Sequence, residues 1–128
     1  MSGVYVTVGA LDLRLSEAFY GPTLGAIGWH KHREYTGWRI YSEGGSGRGM
    51  VLSFGYPFDG EHAAAGNGHM VGFFVDARSE VDAFHQAAMA NGGSDEGAPG
   101  LRPHFGPDWY AAYVRDPAGN KLAAVCNR

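Results

Sequence analysis

The chain has 128 residues, 45% hydrophobic and 18% charged, enough for one domain with a sizeable core that needs no covalent staples. A formal net charge of −3 and ten scattered basic residues leave no electrostatic stripe for nucleic acid or an anionic membrane surface, so a small neutral or anionic ligand is the better expectation. The lone Cys126 excludes an intramolecular disulfide, no apolar run approaches the roughly 20 residues that span a bilayer, and MSGVYVTV lacks the marks of a signal peptide, which together point to a reduced, cytoplasmic setting.

In chain order, Val4 to Gly9 reads as a strand and Leu13 to about Leu24 as a helix, which Gly21-Pro22 should distort or shorten. Strands follow over Trp29 to Tyr35, Trp38 to Ser42 and Met50 to Phe54. The glycine-rich stretch from Ser42 to Gly49 lacks the Lys-Ser/Thr ending of a phosphate loop and reads as a mobile hairpin loop at a cavity mouth. Phe58 to Gly68, rich in Gly and Ala, is a linker. Beyond it come a strand from His69 to Asp76, a helix from Ser79 to Ala90, a short strand near Ala98 to Leu101 and a loop from Arg102 to Pro107. A hairpin closes the chain, with Tyr110 to Val114 and Lys121 to Cys126 joined at Asp116-Pro117-Ala118-Gly119.

The chain repeats itself. Glu17-Ala18-Phe19-Tyr20 parallels Asp82-Ala83-Phe84-His85 at an offset of 65, and Tyr5-Val6-Thr7-Val8 faces Met70-Val71-Gly72-Phe73 at the same offset. Gly37-Trp38-Arg39 parallels Asp108-Trp109-Tyr110 after the offset has grown to 71. Each half therefore reads strand, helix, three strands, an α+β arrangement of two tandem βαβββ modules whose curved sheets enclose a cavity. Strand alternation groups Tyr5, Thr7 and Gly9 on one face, with Met70, Gly72, Phe74 and Lys121, Ala123, Val125 on the matching faces.

These motifs in this order, above all Tyr110 to Leu122 with its Asp-Pro-Ala-Gly-Asn turn, resemble the vicinal oxygen chelate superfamily of glyoxalases, bleomycin resistance proteins and extradiol dioxygenases. The resemblance spans nearly the whole chain and implies a single domain over 1–128, with modules of about 1–60 and 66–128. In metal-dependent members a divalent ion is held by a His of the first strand, a His of the fifth and a Glu of the last. Carried over, those positions are Tyr5, Met70 and Ala123, none of which is such a ligand. The expectation is thus a protein of this superfamily without a metal cofactor, binding a small aromatic or carbonyl-containing molecule. A divalent metal enters only if that assignment is wrong.

The resemblance also implies a homodimer, since many relatives complete their cavities across a two-fold interface. Whether the chain is an enzyme stays open, the enzymatic alternative being a lactoylglutathione-lyase-like or dioxygenase-like protein with a displaced metal site or metal-free acid–base residues. The candidate ligand-binding set is Tyr5, Met70, Arg102, His104, Tyr110 and Ala123. Arg102 and His104 stand among aromatics in a loop and suit a carboxylate or carbonyl. Trp38, Tyr41, Phe74 and Tyr113 are further candidates for lining the pocket or filling the core. His30 and His32 share a strand face without a third ligand, and Cys126 reads as a packed thiol.

Overall fold

The computed structural model describes residues 2–128. The first module comprises β1 (Val4–Gly9), α1 (Leu13–Gly25), β2 (Trp29–Tyr35), β3 (Trp38–Glu43) and β4 (Met50–Gly55). The second comprises β5 (Val71–Phe74), α2 (Arg78–Ala90), β6 (Ser94–Leu101), β7 (Trp109–Arg115) and β8 (Lys121–Asn127). Their sheets repeat one topology, β1-β4-β3-β2 and β5-β8-β7-β6, each with a parallel outer pair and antiparallel remainder. The two helices are 13 residues each.

Alternation divides each sheet into a helix-facing side and an open side. Val8, Leu52, Phe54 and Tyr41 of the first sheet and Val71, Phe73, Leu122, Ala124 and Cys126 of the second join Phe19, Tyr20, Leu24, Val81 and Phe84 of the helices in one continuous core. Tyr20 stacks on Phe54 at 4.5 Å within the first module, and Trp29 edge-on to Phe73 at 5.0 Å carries the packing across to the second. Cys126 is 2% exposed, the packed thiol expected.

Three elements depart from expectation. Pro22 does not shorten α1, which runs through it to Gly25; Pro22 lacks only its own donor, and its carbonyl still accepts from Ala26 N at 3.0 Å. β5 is shorter than the stretch from His69 to Asp76, because only Val71–Phe74 pair with Leu122–Val125, leaving His69 and Met70 ahead of the strand. β6 is longer than foreseen. Its sequence SDEGAPGL has little strand propensity, and it survives as an irregular strand whose register shifts on either side of Gly97.

The closing turn also locks the two modules together. Gly119 has φ 92°, a backbone conformation that suits glycine, and it places Asp116 and Asn120 against the first module. Asp116, only 4% exposed, accepts from Ala118 N and Asn120 N through Oδ1 and from Tyr20 Oη (2.5 Å) and Asn120 Nδ2 (2.8 Å) through Oδ2. Asn120 Nδ2 donates as well to Gly9 O of β1 at 2.8 Å. A buried carboxylate is stable here because four donors satisfy it.

Candidate functional site

The open side of the second sheet is where chemistry-bearing side chains gather. β7 and β8 pair Tyr113 with Ala123 and Ala111 with Val125, and this face forms a small cluster of its own with Trp109. Phe74 stands edge-on to Trp109 at 5.7 Å, and Phe105 of the 102–108 loop lies 5.9 Å from the same indole. Trp109 Nε1 donates to Tyr113 Oη at 3.3 Å.

Beside this cluster lies a groove of about 450 Å³ lined by Met70, Glu96, Gly97, Arg102, His104, Phe105, Tyr113 and Lys121. It brings Met70 together with Arg102 and His104, which lie 32 or more positions further along the chain. Arg102 is fixed by two carbonyls of the preceding β6, donating to Gly100 O and Ala98 O, both at 2.8 Å. Its guanidinium lies 5.5 Å from the Tyr113 ring centroid, and Lys121 Nζ lies 5.5 Å from the same centroid. The His104 ring packs on Phe105 at 4.1 Å. Glu96, the one carboxylate of the groove lining, is bound to Arg115 Nε at 2.5 Å, and that guanidinium holds its carboxyl below the usual range.

The other expected residues fall elsewhere. Tyr5 is 76% exposed on the open face of the first sheet and does not line this groove. Ala123 shares the groove's face but is fully buried among Ala111, Val125, Trp109 and Tyr113, so its methyl does not reach a ligand. Tyr110 is a correction. One step of alternation from Ala111 turns it to the helix side, where its hydroxyl donates to Asp82 of α2 at 2.6 Å and Arg78 covers its ring at 5.2 Å. The hydrogen bond to Asp82 raises the Tyr110 pKa. Tyr41 likewise belongs to the core, 5% exposed and 5.6 Å from Phe54.

Lys121, outside the expected set, also lines the groove, and its place on the Ala123 face is legible from alternation. His32 turns out to be a structural group. Its Nδ1 shares a hydrogen with Ser42 Oγ at 2.8 Å, and Ser42 Oγ accepts from Gly47 N at 2.7 Å, pinning the glycine-rich loop.

No three His, Cys, Asp or Glu side chains among the described residues converge in a way that could hold a metal ion. At the positions where the resemblance implies chelating donors the chain carries a phenol (Tyr5), a thioether (Met70) and a methyl (Ala123), a set that does not fit a hard or borderline divalent ion. No step of the chemistry is therefore routed through a metal here.

Comparison with known proteins decides the family. The model of the glyoxalase/bleomycin resistance protein/dioxygenase superfamily matches residues 4–124. The chain belongs to that superfamily. A glyoxalase/bleomycin resistance protein from Albidiferax ferrireducens T118 is 35% identical, with a TM-score of 0.85 and 97% of each chain covered. A glyoxalase-related enzyme from Fulvimarina pelagi is 25% identical, with a TM-score of 0.76 over 98% of this chain and 88% of that one. Lactoylglutathione lyase from Agrobacterium tumefaciens, at 23% identity and a TM-score of 0.68 over 98% and 92% of the two chains, shares the fold. None of the curated proteins matches. Within the superfamily, then, this member presents a groove of cations, aromatics and a thioether on the second sheet.

Proposed function

We propose that this member of the glyoxalase/bleomycin resistance superfamily binds a small aromatic or carbonyl-containing molecule without a metal, in the groove on the open face of the second sheet. The observation that carries the reading is the joint lining of one groove of about 450 Å³ by Met70, Phe105 and Tyr113 together with Arg102, His104 and Lys121. That volume suits a small molecule, and a mostly apolar wall with a few convergent polar groups is the usual composition of such a site. His104 offers a ring N–H suited to a ligand carbonyl. The side chains of Tyr5, Met70 and Ala123, where the resemblance implies metal ligands, support a metal-free mode.

A homodimer belongs to the same reading. Tyr5, Phe74 and Phe105 are 76%, 72% and 61% exposed, and a second copy facing the open sheets would cover them and deepen the groove. Sedimentation should give a dimer for the native protein and a monomer for Phe74→Glu; a monomeric native protein contradicts this part. A cytoplasmic location is proposed on the free buried thiol alone.

The test of binding is a thermal-shift screen of aromatic acids, aldehydes and ketones, since a ligand that binds only the folded state raises its apparent stability. Hits should lose their shift in His104→Ala. A hit unaffected by His104→Ala and by Arg102→Gln contradicts the location. The alternative, a lyase-like or dioxygenase-like enzyme, draws on the 25% identity to a glyoxalase-related enzyme. It requires turnover of a thiohemiacetal or catechol substrate that His104→Ala abolishes.

A further inference from the structure

We infer that the ligand of this groove carries an anionic group, a carboxylate or a phosphonate, and that Lys121 is its main anchor, with Arg102 against the same Tyr113 ring. The inference rests on the reading of the groove as a small-molecule site and adds the charge of the ligand and the residue that selects it.

The chain has two lysines, and they are used differently. Lys31 is bound to Glu17 and Glu34, both at 3.0 Å, and its pKa is raised by those hydrogen bonds. Lys121 forms no ion pair among the described residues, although it is only partly exposed at the start of β8. Its ammonium stands over an aromatic face, which offsets part of the lost hydration and leaves its three N–H groups free to donate. A bound anion would supply the direct hydrogen-bonded partner that this ammonium lacks.

The neighbouring charges point the same way. Glu96 is hydrogen-bonded to Arg115 and reaches Lys121 only through its more distant charge, as Asp95 does Arg102. Arg102 spends its Nη atoms on neutral carbonyls, which fixes the guanidinium in place without a direct carboxylate contact. The two cations sit at equal distances from one ring, and both line the groove together with Met70 and Phe105. Lys121 and Met70 also line a second groove of about 480 Å³, where His69 and Arg115 are the other charged or titratable groups. Lys121 can therefore be reached from two sides. The pattern selects an acid with an aromatic or unsaturated body over its neutral amide.

The test is an NMR titration of the amide-labelled native protein at low salt with indole-3-acetate and its neutral counterpart indole-3-acetamide, followed by the same pair on Lys121→Met and Lys121→Arg. Methionine keeps the side-chain stem against Tyr113, and the dispersion of the amide spectrum reports whether each variant folds. The acid should shift Gly72, Tyr113 and Lys121 and bind at least about tenfold more tightly than the amide, a typical gain for a hydrogen bond to a charged group. Lys121→Met should abolish that preference while the amide's affinity stays, and Lys121→Arg should restore it. Phenylphosphonate binding as tightly as the carboxylate would identify the anion generally; a tenfold weaker phosphonate would identify a carboxylate site. Equal binding of acid and amide, or a preference that survives Lys121→Met, overturns the inference and leaves the small-molecule reading standing. If neither compound perturbs the groove, both fall.

Discussion

Tyr20→Phe removes one hydroxyl from the lock between the modules. Tyr20 is fully buried and donates to Asp116 at 2.5 Å, and the ring's packing on Phe19 and Phe54 survives the change. What is lost is a hydrogen bond to a charged acceptor, worth about 2 kcal/mol. The loss is limited because Asn120 Nδ2 still serves the same oxygen and two backbone N–H groups serve the other. Unfolding entropy of about 2.1 cal/mol/K per residue gives this chain about 0.27 kcal/mol/K in all, so the midpoint should fall by about 7 °C. Urea unfolding of native, Tyr20→Phe and the exposed control Tyr5→Phe measures it, with the control unchanged. A Tyr20→Phe protein within about 0.5 kcal/mol of native would show that Asp116 is saturated by its other donors.

Alkaline stability follows from the same hydroxyl. Burial, then the charge and hydrogen bond of Asp116, raise the Tyr20 pKa well above its ordinary 10.0. The unfolded state therefore loses its proton first, so this contribution is intact below pH 10.0 and is lost as pH rises beyond it; unfolding followed from pH 9 upward should steepen there, less so in Tyr20→Phe. Thr23 Oγ1 is buried without a hydrogen-bond partner among the described residues, and Thr23→Val should raise stability by about 1 kcal/mol in urea. A Cβ on Gly55 would collide with Gly37 O and the Trp38 ring, and Gly55→Ala should cost about 2 kcal/mol by the same assay.

Most of the fold could be read from the sequence because the chain states its plan twice. The offset of 65 between the Phe19 and Phe84 segments is the offset at which α1 and α2 start, and the continuous apolar runs of β7 and β8 on either side of a tight turn read as a buried hairpin. β6 was obscured because its pairing is imposed by β7 rather than by its own residues. The site was legible in part. Met70, Arg102 and His104 do meet, for the loop that carries Arg102 and His104 leads directly into β7. Tyr110 lies one step of alternation off the groove's face, and the rings beside Ala123 bury its methyl. That Lys121 has no ion pair is a three-dimensional property that no sequence pattern carries. Only the fold shows that Glu96 is already bound to Arg115.

The central claim, that this chain keeps the fold of a chelating superfamily without the donors for its metal, is tested most directly by titrating the purified protein calorimetrically with Zn²⁺, Ni²⁺, Mn²⁺ and Fe²⁺ after elemental analysis. The expected result is no stoichiometric metal as isolated and no saturable heat with any of the four. One equivalent of a bound divalent ion whose removal lowers stability would contradict it.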